Sequence, residues 1–215
     1  MLLFVLSPLL FSCNPPKSSD GYTTIAPNKQ GQQESPIAGE TEFQRSLNRL
    51  YKDPEQSPLK PQDRIAFKGL DFFPYDSALK VEARLIKAES EGASLILKTN
   101  TERSPTFIHY ATAVFSIQGK EHRLELYQDP ELMENPAFLD YLFLPFTDES
   151  NGEETYGGGR YLDLSKPKDD RLWIDFNEAY NPYCVYNEVY SCPVPPRANH
   201  LPIKILAGVK DFKRY

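Results

Sequence analysis

Residues 112–127, TAVFSIQGKEHRLELY, decide the fold. Two runs, 112–117 and 121–127, flank Gln118-Gly119-Lys120, and Gly119 can take the positive φ that a tight hairpin requires. The spacing predicts an antiparallel pair. Upstream, Val81-Glu82-Ala83-Arg84-Leu85 and Ser94-Leu95-Ile96-Leu97-Lys98 alternate strictly, which places Val81, Ala83, Leu85, Leu95 and Leu97 on the buried faces of two more strands. Downstream, 138–146 is almost continuously apolar, and Tyr161-Leu162, Leu172-Trp173-Ile174 and Ile203-Lys204-Ile205-Leu206 supply three further short strands.

Ahead of the strands, Thr41-Glu42-Phe43-Gln44 offers a capping threonine with polar residues in the first turn, and Phe43, Leu47 and Leu50 follow at i, i+4 and i+7. This predicts one short amphipathic helix that stops by Asp53-Pro54, because proline disfavours the helical conformation at the residue before it. Ser57-Pro58-Leu59 and Phe67-Lys68-Gly69-Leu70 read as loop. The 13 Tyr and 13 Phe against two Met, with 19 Pro and only 11 Gly, favour short strands joined by rigid turns. About eight strands and one helix result. The expected fold is mainly β, an antiparallel sandwich or partly open barrel with one short N-terminal helix, and an α+β arrangement is the alternative.

The first 13 residues, MLLFVLSPLLFSC, form an apolar run too short for a transmembrane helix, which needs roughly 20 apolar residues. Leu10-Phe11-Ser12-Cys13 resembles the lipobox of bacterial lipoproteins, whose cysteine is lipidated and becomes the mature N-terminus. No Lys or Arg precedes the run, and Phe11 is larger than the usual residue there. An ordinary signal peptide cut nearby, or an N-terminal core strand, is the competing reading. Residues 14–40 mix Pro, Ser, Gln, Gly and Asn with few large apolar groups and read as a flexible tether spanning about 30 Å. The organisation expected is a signal over 1–13 with Cys13 as lipid anchor, a tether over 14–40 and one domain over 41–215. The membrane is then a partner through Cys13, and the location is the cell envelope, periplasmic or outer-membrane associated.

The chain has 40% hydrophobic and 25% charged residues, with a mean hydropathy of −0.52, which is the soluble globular range. A formal charge of −6 with no Lys/Arg cluster excludes the electrostatic footprint that nucleic acid requires. His109, His122 and His200 are too scattered for a zinc site, no Gly-x-Ser-x-Gly elbow occurs, and no cofactor is implied. The Asp148-Glu149-Ser150-Asn151-Gly152 loop carries oxygens suited to calcium but lacks the EF-hand spacing, so no metal is assigned.

The unusual chemistry lies between Pro145 and Lys210. Thr155-Tyr156-Gly157-Gly158-Gly159-Arg160-Tyr161-Leu162-Asp163, then Asp175-Phe176-Asn177 and Ala179-Tyr180-Asn181-Pro182, together with Ser57-Pro58-Leu59 and Phe67-Lys68-Gly69-Leu70, resemble the bacterial family called domain of unknown function 1684. The resemblance covers roughly 41–213 and implies a shared fold, but no reaction and no catalytic residues. Where the family pattern leads one to expect Ala-Gly-Glu, this chain has Ala207-Gly208-Val209.

Gly157-Gly158-Gly159 lets the chain turn tightly or approach another group closely, and Arg160 follows directly. Arg160 either aims its guanidinium at a ligand carboxylate or phosphate, or pairs internally with Asp163 or Asp175. Asp175 and Asn177 share a face if Phe176 points inward, and with Arg160, Tyr161, Asp163, Tyr180 and Asn181 they form the candidate corner for a small polar ligand or glycan. The competing reading is an Asx-rich corner whose side chains satisfy turn backbone. A second function is an envelope hydrolase using two of Asp148, Glu154, Asp163 and Asp175. A third is a structural or assembly protein that offers 180–196 as a partner surface.

With Cys13 set aside, Cys184 and Cys192 form an even pair in an oxidising compartment, which predicts a disulfide closing a nine-residue loop. Two thiols held apart as small buried groups, or a Cys184 nucleophile served by His200, are the alternatives.

Overall fold

The computed structural model describes residues 38–87 and 94–213. Cys13, its lipobox and the tether up to residue 37 lie outside the described residues. The chain forms α1 (Glu42–Lys52), α2 (Pro61–Ala66), β1 (Lys80–Lys87), β2 (Ser94–Ile96), β3 (Thr106–Ile117), β4 (Lys120–Gln128), α3 (Pro130–Met133), β5 (Tyr141–Asp148), β6 (Arg160–Ser165), β7 (Arg171–Asp175) and β8 (His200–Leu201).

The deciding hairpin is β3–β4. Gln118 (φ 52°) and Gly119 (φ 75°) are both left-handed, the mirror-image turn whose twist matches that of its flanking strands. Pairing runs from Ile117 opposite Lys120 to Ala111 opposite Leu126, then shifts by one residue between His109 and Ala111. Such a bulge bends a strand and increases its twist. The sheet order is β6-β5-β4-β3-β1-β7, with antiparallel pairing throughout that path, β2 added antiparallel to β3 and β8 added parallel to β5. The sheet curls until its ends meet: Tyr161 on β6 and Tyr180, just past β7, exchange two backbone hydrogen bonds of 2.9 and 3.0 Å. The result is a partly open barrel.

Alternation sorts the side chains into two cores. Val81, Ala83 and Leu85 of β1 and Leu142, Leu144 and Phe146 of β5 point into the barrel. Tyr141 and Phe143 of β5 point the other way, into an aromatic layer that α1 covers with Leu47 and Tyr51. Burial of both faces of β5 is why its sequence reads as one apolar run. In that layer Phe143 sits 5.7 Å from the Phe107 ring and 4.8 Å, edge-on, from Tyr161. Such pairs are worth about 0.5–1.5 kcal/mol beyond the area they bury.

The predicted helix is α1, capped by Thr41 Oγ1 accepting from the Gln44 amide at 3.2 Å and ended at Asp53. Three expectations are corrected. The loop over 57–70 contains the additional helix α2, begun by Pro61 at its first turn. The apolar run becomes a strand only at Tyr141, because Asn135 caps a 3-10 turn over Pro136–Phe138. Residues 203–206 form no strand, because Ile205 and Ala207 give their backbone groups to the buried side chains described next.

Candidate functional site

The glycine run delivers Arg160 into the interior. Gly159 has φ 88°, and a Cβ there would stand 2.5 Å from the Phe146 carbonyl oxygen, so only glycine fits. Arg160 is fully buried. Its guanidinium lies 5.4 Å over the Phe146 ring and donates to the Asp148 carboxylate at 3.0 Å, to the Ile205 carbonyl at 2.7 Å, and to the carbonyls of Ala207 and Val209. Asp148 Oδ1 accepts from the amides of Ser150 and Ile205 at 2.8 and 3.1 Å. The ion pair therefore ties the C-terminal segment from Ile205 to Val209 to β5 and β6, and the internal partner is Asp148, neither Asp163 nor Asp175. Of the side-chain nitrogens and oxygens of this pair, only Arg160 Nε lacks a partner.

Alternation on β6 separates Arg160 and Leu162, which face the barrel core, from Tyr161 and Asp163, which face the aromatic layer. The expected corner divides accordingly. Tyr161 is buried and donates its hydroxyl to the Pro193 carbonyl. Asp175 and Asn177 do meet, with Asp175 Oδ1 accepting from the Asn177 side chain at 2.8 Å, while Asn177 also receives the Asp76 amide and donates to the Asp76 carbonyl, both at 2.8 Å. Asn181 donates to the Lys210 carbonyl at 2.9 Å. These side chains staple backbone segments together.

Asp163 and Tyr180 differ, because they line a cavity of about 640 Å³ at the seam where β6 approaches β7. Asp163 Oδ1 accepts from the hydroxyls of Tyr141 and Tyr180 at 2.8 and 2.7 Å, while Oδ2 is buried without a partner. Burial pushes this carboxyl up to about 7, against the pull of the two tyrosine hydrogen bonds. Glu178, on the same wall, is also raised by burial and by the Asp175 charge, with Lys80 acting in the opposite sense. Phe43 of α1, Phe138, Tyr141 and the half-exposed Trp173 complete an aromatic lining. None of these four, nor Glu178, was marked as a site residue in the sequence. They come from separate elements, and no local spacing marks them.

The four carboxylates considered for hydrolysis have different surroundings. Asp148 is bound to Arg160, Glu154 pairs with Lys204 at 2.8 Å, Asp175 lies 3.4 Å from Lys80, and only Asp163 lines the cavity. Cys184 and Cys192 are free thiols, in contrast to the expected bridge, yet they are adjacent: the Cys184 amide donates to Cys192 Sγ at 3.2 Å. A shared hydrogen bond holds the Cys184 thiol below its ordinary pKa and Cys192 above. His200 stands apart from them, its ring nitrogens 3.0 Å from Thr147 Oγ1 and 3.2 Å from Glu149.

A curled antiparallel barrel with an internal ion-pair staple and an aromatic cavity at its seam is a small β-domain class defined by fold. The chain belongs to the family of proteins of unknown function DUF1684, whose model matches residues 65–210. A solution NMR structure of an uncharacterized protein from Haloarcula marismortui is similar to it, at 33% identity over 78% of this chain and 89% of that one, with a TM-score of 0.60. No curated protein matches the chain.

Proposed function

We propose that this protein binds a small polar ligand, glycans included, in the Asp163–Tyr180 cavity, and that a lipid on Cys13 holds it at the cell envelope. The observation that carries the reading is Asp163, a cavity-lining carboxylate with no opposite charge and with one buried oxygen, Oδ2, that no protein group satisfies. Buried polar atoms are rarely left unsatisfied, and apolar walls with a few convergent polar groups are the usual construction of a ligand site. The anchor rests on the lipobox-like Leu10-Phe11-Ser12-Cys13.

Trp173 is the single tryptophan of the chain and stands on the cavity wall, so its fluorescence reports occupancy. A library of small polar metabolites screened against the full chain should contain compounds that change this signal saturably and compete with one another. Compounds that stabilise the protein without changing Trp173 emission would place binding elsewhere. Lipidation is tested by labelled fatty acid, which should enter the wild-type protein and not Cys13→Ser.

A further inference from the structure

We infer that the cavity is built for an organic ammonium group, a ligand carrying a protonated amine on a compact apolar body. The inference rests on the cavity being a ligand site, as proposed above. Three carboxylates, Asp140, Asp163 and Glu178, lie on its wall against one cation, Arg171, whose guanidinium is bound to Glu82 at 2.5 Å. Tyr141 and Tyr180 both direct their hydroxyl protons at Asp163 Oδ1, so towards a ligand their oxygens offer lone pairs. The wall is therefore rich in acceptors and poor in donors.

The aromatic lining matches the same ligand. Phe43, Phe138, Tyr141, Trp173 and Tyr180 present rings to the cavity, and ring faces attract cations. A ligand ammonium at the inner wall compensates the Asp163 carboxylate, which the protein supplies with hydroxyl donors but no opposite charge. An anion meets three carboxylates with the nearby guanidinium already paired. A neutral polyol satisfies the acceptors but leaves the negative wall uncompensated, and a hydrocarbon satisfies neither.

The test uses three probes of one shape: cyclohexylamine, cyclohexanol and cyclohexanecarboxylate, titrated into the full chain at pH 8 and read by Trp173 fluorescence. A charge-assisted hydrogen bond is worth about 1.5–3 kcal/mol, so the amine should bind at least about tenfold more tightly than the alcohol. The carboxylate should bind most weakly. Asp163→Asn keeps the acceptor for both tyrosines and should erase the amine's advantage while changing cyclohexanol affinity less than about twofold. Glu178→Gln, which leaves Asp163 intact, should reduce that advantage in part and serves if Asp163→Asn fails to fold. Equal or tighter binding of the alcohol or the carboxylate overturns the ammonium inference and leaves the ligand site standing. Failure of all three to change Trp173 emission overturns both.

Discussion

Strand β6 carries two charged-type side chains three residues apart, Arg160 fully buried and Asp163 half-buried, and their surroundings are opposite. Arg160 faces the barrel core and makes four hydrogen bonds, one of them to a carboxylate. Asp163 faces the aromatic layer, holds two tyrosine hydroxyls on one oxygen and leaves the other bare beside a cavity. A buried charge that the fold pairs with an opposite charge is scaffold. One that the fold leaves without such a charge beside a cavity is where a ligand belongs.

The largest effect expected from breaking this contrast is at Arg160. Arg160→Met strands Asp148 in the interior and removes the donors for three backbone carbonyls, so denaturant titration should show a loss of about 3–5 kcal/mol. A loss under about 1 kcal/mol would mean that the staple contributes little and that the two ends of β6 do not differ as argued.

A smaller effect concerns the aromatic layer, to which Cys192 belongs. Oxidation of the neighbouring thiols should raise stability by about 2–3 kcal/mol, the chain-entropy value for a nine-residue loop. Free-thiol titration of protein isolated from an oxidising compartment, under denaturing and non-reducing conditions, should find Cys184 and Cys192 absent. Full thiol recovery from that compartment would show that the pair stays reduced.

The third effect is in pH dependence and is spread over several pH units. The Asp163 carboxyl is raised from 3.8 to about 7 in the folded state. Between those values the folded protein retains a proton that the unfolded chain releases. The contribution is therefore complete below about pH 4 and is lost as pH rises through about 7, with a slope of at most about 1.4 kcal/mol per pH unit. Melting curves from pH 4 to 8 should show this decline in the wild type and not in Asp163→Asn. Parallel curves would place the ordinary carboxylate pKa on Asp163.

The scaffold was more legible in the amino-acid sequence than the site, for physical reasons. Gly119 marked the hairpin and Thr41 with Phe43 and Leu47 marked α1, because turns and caps are set by residues within a few positions of one another. The apolar run of β5 declared a strand buried on both faces. Arg160 was conspicuous, but its partners lie 12 and 45 to 49 residues away, and nothing local distinguishes a fork aimed at a ligand from one aimed at Ile205, Ala207 and Val209. The Asx residues were ambiguous for a related reason. Asn177 and Asn181 look like ligand chemistry, yet each holds distant backbone, as does Asn199, which joins Glu125 to Pro145. The period of two on β6 was the available signal that Arg160 and Asp163 face different ways.

The most direct test of the contrast is the titration of the Asp163 carboxyl carbon by NMR in the ligand-free protein. A midpoint near 7 is the result expected of a desolvated carboxylate that the fold leaves without an opposite charge. A midpoint near 4 would show a solvated or fully hydrogen-bonded group and would contradict the account.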